Sequence, residues 1–332
     1  NSWGGHENCL VTRELELAGA VELLTSFLVT RQVLCGTGRW YRGKFRISQR
    51  ADHLHEELSA LTTRARPLVN TRDEPLADPA RFRRLHVLAG DSNLVEPSGW
   101  LKLATTAAVL ELLDRPEGPD GRLAALRLAD PADALRRVAR DPLAVLELAD
   151  GRRLTAIEVQ RAHLDLAAPH AEPALAMLWA RVLDALAAGE PELVADGVEW
   201  AAKLRLLREF RQRHGLAADD PRLAQLDLAF HQLGGPLAAL EDGGAVARLT
   251  DPVEVTRALA DPPEPTRAVA RAAFLRAVGT GRRSYSVDWR TCTVRDLPDG
   301  AHRTDRTVVL DDPLATTTPE LEELLAACAS AP

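Results

Sequence analysis

The sequence has few of the residues that build covalently cross-linked folds. Its four cysteines are scattered along 332 residues, without a Cys-x-x-Cys pair or a zinc-ligand spacing. Their scarcity argues against a disulfide framework and indicates a reduced, cytoplasmic protein. The chain also lacks an apolar run long enough to cross a bilayer and a recognisable signal peptide. We therefore expect a cytoplasmic protein with no membrane partner.

The common nucleotide-binding motifs are missing as well. There is no P-loop, and Gly36-Thr37-Gly38 is too short for a dinucleotide fingerprint. If the chain binds a nucleotide, another architecture must hold it. The formal net charge of −7 provides no general attraction for nucleic acid, so we expect none as a partner.

Strands and helices are expected in separate parts of the chain. Before residue 91, strand patterns lie at 1–12, 66–71 and 82–90, and the segment 39–48 has the pattern of a hairpin around Arg42-Gly43. Helical patterns lie at 14–35, from 97 to about 113, and through most of 131–230. This segregation predicts an α+β fold.

Proline and glycine mark the later boundaries. Residues 234–244 are typical of a loop, and Asp261-Pro262-Pro263 is a stronger break. Beyond it we expect a helix at 265–278, strands at 285–295 and 304–310, and a closing helix at 319–327. We therefore predict a large domain at 1–260 and a small one at 261–332.

The strand at 81–93 is the most informative local segment. With a period of two, Leu85, Val87 and Ala89 share one face, whereas Arg84 and His86 share the other. One face should pack on a core while the other presents a cation and a potential metal ligand. A half-exposed strand with no site remains the alternative.

The opening strand poses the same question for His6 and Glu7. Neighbouring strand residues face opposite ways, so only one of the two can reach a given site without a bulge. His6 shares its face with Asn8, and Glu7 shares its face with Cys9. We take His6 as the candidate site residue and Glu7 as the lesser one, although a lone histidine is more often structural.

Two arginines and one tryptophan are further candidates. Arg50 and Arg72 each follow a predicted strand, where guanidinium groups often bind phosphate. They could equally form salt bridges with Asp52 and Asp73. Trp289 belongs either to a core or to a base-stacking surface.

Positive charge is concentrated in one stretch of this acidic chain. Residues 31–84 contain twelve basic and six acidic side chains. Such a stretch is either a solvated face or a surface for an anionic partner.

Taken together, the ordered motifs resemble the Pup ligase family, bacterial enzymes that attach the prokaryotic ubiquitin-like protein Pup to other proteins. The resemblance covers essentially the whole chain. It is carried by N-S-W-G-G-H-E-N at the start, Ile47-Ser48-Gln49-Arg50-Ala51-Asp52-His53, Asn70-Thr71-Arg72-Asp73-Glu74-Pro75, Arg84-Leu85-His86-Val87, Gly90-Asp91-Ser92-Asn93, Asp220-Pro221-Arg222-Leu223 and Tyr285-Ser286-Val287-Asp288-Trp289.

The resemblance implies a glutamine-synthetase-like fold, in which a curved antiparallel sheet cradles ATP and magnesium. Helices back the sheet in domain 1–260, and a small carboxy-terminal α/β domain occupies 261–332. It also implies that His6 and His86 hold magnesium, that Arg50 and Arg72 contact phosphates, and that Trp289 packs by the nucleotide. The implied partners are Pup, lysine-bearing substrate proteins and, indirectly, the bacterial proteasome.

The implied activity is ATP-dependent ligation of the side chain of Pup's terminal glutamate to lysines, through a glutamyl phosphate. We expect the chain to lack the family's first strands, with the catalytic base upstream of Asn1, so that no catalytic residue lies within it and it is inactive alone. Cys9 and Leu76 depart from the usual tyrosine and histidine. A depupylase/deamidase of Pup, or a non-catalytic homologue that binds Pup or nucleotide, remains the alternative.

Overall fold

The computed structural model describes residues 3–59, 66–115, 118–279, 284–299 and 302–330. The chain divides into two compact units, the first formed by Asn1–Asp73 and Arg84–Leu249 and the second by Glu74–Arg83 and Thr250–Pro332. This division differs from the sequence boundary at 260/261, because residues 250–260 and Glu74–Arg83 group with the second unit through their contacts.

The elements from Gly4 to Asp242 are mostly strands up to Asp91 and mostly helices after it. In chain order they are β1 (Gly4–Thr12), α1 (Leu17–Thr30), α2 (Gln32–Cys35), β2 (Arg39–Tyr41), β3 (Lys44–Arg46), β4 (Glu56–Ser59), β5 (Pro67–Asn70), β6 (Phe82–Asp91), α3 (Glu96–Leu113), α4 (Pro131–Arg140), β7 (Val145–Glu147), β8 (Arg153–Thr155), α5 (Ala156–Ala167), α6 (Pro173–Ala187), α7 (Glu199–Arg213), α8 (Pro221–Ala229) and α9 (Pro236–Asp242). The mixture of sheet and helices agrees with the α+β prediction.

The main sheet of the first unit has the strand order β1-β6-β5-β4. β5 and β6 are antiparallel, and Asn70 lies opposite His86. β4 and β5 are parallel, so the expected wholly antiparallel sheet is wrong for this pair. Side-chain alternation has a period of two in both arrangements, which is why the sequence pattern could not distinguish them.

The core of the first unit lies between the sheet and the helices. Leu85 and Val87 are buried in it and Ala89 packs against it, as the alternation along β6 predicts. The helix expected at 14–35 ends at Thr30, and the short α2 follows after Arg31. None of the helices in the described part of the chain is long and apolar enough to cross a membrane.

Residues 131–230 are mostly helical, as predicted, but two local features of the helical region differ from the expectation. A hairpin of β7 and β8 interrupts the expected run of helices. The segment 234–244 contains helix α9, whose Leu237 packs with Phe230 and Val246. Its proline occupies the first helical turn, where the missing N–H has no helical partner to lose.

The second unit has its own sheet and core. Its elements are α10 (Pro252–Ala258), α11 (Arg267–Gly279), β9 (Tyr285–Val287), β10 (Thr291–Asp299), β11 (His302–Val309) and α12 (Pro319–Ser330). The strands pair antiparallel in the order β11-β10-β9, so the expected strand at 285–295 is divided in two. Phe274, Val294 and Leu324 are central to its core. The antiparallel sheet makes this unit α+β rather than the expected α/β.

Candidate functional site

His6 on β1 and His86 on β6 lie side by side on the sheet. Their ring centroids are 5.3 Å apart, with an angle of 65° between the rings. Burial, assisted by the charge of Arg50, lowers the pKa of His6. The imidazole is therefore neutral at physiological pH, which is the form that binds metals. The structure thus brings together two residues that are eighty positions apart in the sequence.

Glu7 faces the opposite way, into the first unit. Its two carboxylate oxygens accept hydrogen bonds from Arg31 at 2.6 and 2.7 Å. Both side chains are almost fully buried, and Arg31 also donates to the Thr106 hydroxyl at 2.6 Å. Glu7 therefore has a structural partner within the first unit, on the face of β1 opposite to His6.

Arg50 comes to the same face of β1 as His6. A Cβ atom built on Gly4 would lie only 1.3 Å from Arg50 Nη1, so the guanidinium covers this glycine. Gly4 and His6 are two residues apart on β1 and therefore share a face. Arg50, His6 and His86 consequently form one cluster, which we call the β1–β6 cluster.

The salt bridge considered for Arg50 does not form. Asp52 pairs instead with Arg46 at 3.3 Å and with Arg140 at 2.9 Å. Among the described residues no carboxylate lies within ion-pair distance of Arg50, and its buried Nε has no hydrogen-bond partner. Burial lowers the pKa of Arg50 against the opposing charge of Asp91. A half-buried guanidinium without a carboxylate partner is suited to binding an anionic ligand.

Arg72 lies near the cluster by sheet register. It follows β5, whose Asn70 is opposite His86, and its N–H donates to Asn70 Oδ1 at 2.8 Å. Asp73, the salt-bridge partner considered for Arg72, pairs with Arg13 at 2.5 Å. The backbone of Arg72 is therefore placed beside the strand that carries His86.

Trp289 belongs to the second unit and is not a core residue. Its side chain is 64% exposed, and the guanidinium of Arg271 lies over the ring at 5.4 Å from the centroid. An exposed indole is available for stacking on a planar ligand.

The residues present do not make a magnesium site by themselves. In the described ranges, no group of three or more His, Cys, Asp or Glu side chains could hold a metal ion. His6 and His86 offer two nitrogen ligands, whereas magnesium prefers an octahedron of oxygens. The expectation that they hold magnesium remains a proposal.

Sequence reasoning did not single out Asp91, although it lies in the motif Gly90-Asp91-Ser92-Asn93. The carboxylate is 3% exposed and accepts hydrogen bonds from the N–H groups of Thr37, Gln49 and Arg50. An acidic residue at the end of the strand predicted at 82–90 was the available signal.

Sequence reasoning also did not identify Lys203, a lysine whose charged group lies inside the core. It is fully buried and contacts Gly38 O at 3.0 Å, His231 Nε2 at 2.9 Å and Asp227 at 3.2 Å. Burial first, then Lys203, lowers the pKa of His231 to about 4. Trp3 stacks on His231 with centroids 4.4 Å apart. This network links the start of β1 to α7, and its only signal was a lysine on an apolar helix face.

The comparisons with known proteins agree with this picture. The family model described as "Pup-ligase protein" matches residues 1–293. The Pup–protein ligase of Saccharomonospora viridis is 38% identical over 98% of this chain and 74% of its own length. That of Xylanimonas cellulosilytica is 39% identical over the same shares.

Two solved structures have the same fold over almost the whole chain. The Pup ligase PafA in complex with ADP matches with a TM-score of 0.87 and 34% identity, over 99% of this chain and 74% of that one. A complex between Pup and its ligase PafA matches with the same TM-score and identity, over 99% and 68%. The chain therefore belongs to the Pup ligase family.

Proposed function

We propose that this chain carries the phosphate-binding side of an ATP-dependent Pup–protein ligase. The observation that supports it best is the β1–β6 cluster, where the guanidinium of Arg50, without a carboxylate partner among the described residues, lies on one face with His6 and His86. The ADP complex of one structural relative and the Pup complex of another give the ligands this proposal adopts.

The proposed reaction follows from the chemistry of a carboxylate. A carboxylate is a poor acyl donor at neutral pH, because its leaving group would be an oxide. Transfer of the γ-phosphoryl group of ATP to the side-chain carboxylate of Pup's terminal glutamate makes a mixed anhydride and releases ADP. Attack by a substrate lysine then forms the isopeptide bond and releases phosphate.

The residues of this chain would neutralise the charge of the phosphates and hold the nucleotide in place during this reaction. Phosphoryl transfer depends mainly on placing the phosphates and neutralising them. We assign phosphate contacts to Arg50 and Arg72 and nucleotide packing to Trp289. His6 and His86 are the proposed metal-binding residues, and bound magnesium would supply further positive charge.

We further propose that these 332 residues alone do not conjugate Pup. A lysine must lose a proton to attack, and a carboxylate is the usual base in such a site. Glu7 and Asp91, the carboxylates of β1 and β6, are both buried and hydrogen-bonded. Neither is placed to accept a proton from an incoming lysine.

Membership of the family supports further proposals about architecture, partners and location. They include a glutamine-synthetase-like architecture, lysine-bearing substrate proteins, an indirect link to the bacterial proteasome and a cytoplasmic location. Depupylation remains the alternative reaction for the same fold.

The proposal is tested by nucleotide binding, because binding does not require a catalytic base. ATP and adenosine are titrated into the wild-type chain and into Arg50→Met, with Arg181→Met as the control. Arg181 pairs with Asp196 on the exposed surface of the first unit. We expect ATP, but not adenosine, to bind about tenfold more weakly to Arg50→Met. Equal ATP affinity in all three proteins would contradict the phosphate role. Incubation with ATP, Pup and a lysine substrate tests the expected inactivity separately.

A further inference from the structure

Asp91 determines the backbone position of Arg50. Its buried carboxylate accepts N–H bonds from Gln49 at 3.1 Å and from Arg50 at 3.2 Å, and a hydroxyl bond from Ser48 at 3.1 Å. It also accepts the N–H of Thr37 at 3.0 Å, which anchors a second loop. No Lys or Arg side chain in the described ranges forms an ion pair with this carboxylate.

Burying a carboxylate that is held mainly by backbone donors costs free energy unless all of its bonds form together. The arrangement therefore favours one conformation of the turn that presents Arg50. Lys102 adds to this by donating to the backbone oxygen of Asp91 at 2.8 Å, which holds the end of β6.

Gly4 determines where the Arg50 side chain can lie. The three heavy atoms nearest to a Cβ built on Gly4 all belong to Arg50, with Nη1 at 1.3 Å and Cζ at 2.4 Å. The backbone φ of Gly4 is outside the left-handed region, so the local backbone does not require glycine. The absence of a side chain at this position instead provides the space that the guanidinium occupies.

We propose that Asp91 and Gly4 are positioning residues for Arg50, Asp91 through its backbone and Gly4 through the space above β1. The inference rests on the proposed function, in which Arg50 contacts a phosphate of ATP. An arginine loses much rotamer freedom when it binds an anion, and a side chain already held in place loses less. Gly4 and Asp91 thus raise the affinity of Arg50 for phosphate without touching the ligand.

Gly4→Ala is the sharpest perturbation. The three heavy atoms nearest to the new methyl group all belong to the flexible side chain of Arg50, so we expect the guanidinium to leave its place while the backbone of β1 stays in position. Gly121→Ala is the matched control, because a Cβ there meets nothing within 4 Å and its φ is also outside the left-handed region. Asp91→Asn is the second variant. It keeps the size of the side chain but replaces one accepting oxygen by an NH₂ group, which cannot accept the N–H bonds that hold the turn.

The first measurement needs no ligand. Modification of each arginine by phenylglyoxal is followed by mass spectrometry on the native proteins. We expect Arg50 to react several-fold faster in Gly4→Ala and Asp91→Asn than in wild type, while the buried Arg31 and the control variant are unchanged. Unchanged reactivity of Arg50 in Gly4→Ala would overturn the inference.

The second measurement separates the inference from the proposed function. ATP is titrated into Gly4→Ala, Arg50→Met and the double variant. We expect each single substitution to lower the affinity for ATP about tenfold. The double variant should bind ATP no more weakly than Arg50→Met, because both substitutions act through one guanidinium. If Arg50→Met weakens ATP but Gly4→Ala does not, the positioning role is wrong. If Arg50 becomes more reactive yet Arg50→Met binds ATP normally, the phosphate role fails while Gly4 still holds the side chain.

Discussion

Removing the cation from the Arg31–Glu7 pair should destabilise the first unit strongly. In Arg31→Met the Glu7 carboxylate stays buried, at 4% exposure of its side chain, without the two hydrogen bonds of 2.6 and 2.7 Å that compensate its charge. Breaking a buried pair in this way costs about 3–5 kcal/mol. The lost bond to Thr106 adds about 1 kcal/mol. A typical domain is stable by only about 5–15 kcal/mol, so the effect is a large fraction of the total.

The measurement is urea unfolding followed by circular dichroism, with two comparison variants. Arg181→Met removes an exposed pair, whose side chains are 50% and 45% accessible, and should cost about 0–1 kcal/mol. Glu7→Leu combined with Arg31→Met removes both charges and should recover much of the loss. The reasoning is refuted if Arg31→Met costs no more than Arg181→Met, or if the double variant is less stable than Arg31→Met.

Three other outcomes follow from the described contacts. Burial lowers the pKa of His163 to about 4 in the folded state, so the folded protein keeps this imidazole neutral while the unfolded chain takes up a proton below pH 6.5. The free energy of unfolding should therefore fall by roughly 3 kcal/mol as the pH falls from 6.5 to 4. Thermal melts of His163→Gln should show a flatter pH dependence across that window than wild type. Because His6 and His86 supply only two of the ligands a metal ion needs, Mn²⁺ should bind this chain weakly. His86→Ala should weaken that Mn²⁺ binding further with little change in melting temperature, and unchanged Mn²⁺ affinity would contradict a metal-binding role for His86. We propose that the β2–β3 hairpin, which belongs to the basic stretch 31–84, is where Pup binds by charge attraction. Reversing the charges of Arg39 and Lys44 should then weaken Pup binding and flatten its salt dependence while ATP binding is unaltered, and unchanged Pup affinity at low salt would place Pup elsewhere.

The period-two pattern along β6 was sufficient to assign its faces. Leu85 and Val87 are in the core, and His86 lies on the face that carries His6, because alternation is a local property of an extended chain. The β2–β3 hairpin was likewise readable, since Arg42-Gly43 occupies its turn with positive φ at both residues. Local geometry that follows from the chain itself can be predicted from the sequence.

Local signals were insufficient where two conformations share the same residues. Gly235-Pro236 is typical of a loop, yet the same pair begins helix α9 once Leu237 can bury itself against Phe230 and Val246. The parallel pairing of β4 with β5 was equally hidden, because strand direction depends on the path of the chain between them.

Arg50 shows most clearly what each level decides. By itself the sequence determined that a cation follows a strand in a family motif, and that Asp52 is two residues away. Only the tertiary structure decided that Asp52 pairs with Arg46 and Arg140 and that Arg50 lies over Gly4 without a carboxylate partner in the described chain. The physical reason is that an ion pair depends on distances between side chains from different elements, and these distances exist only after packing has brought the elements together.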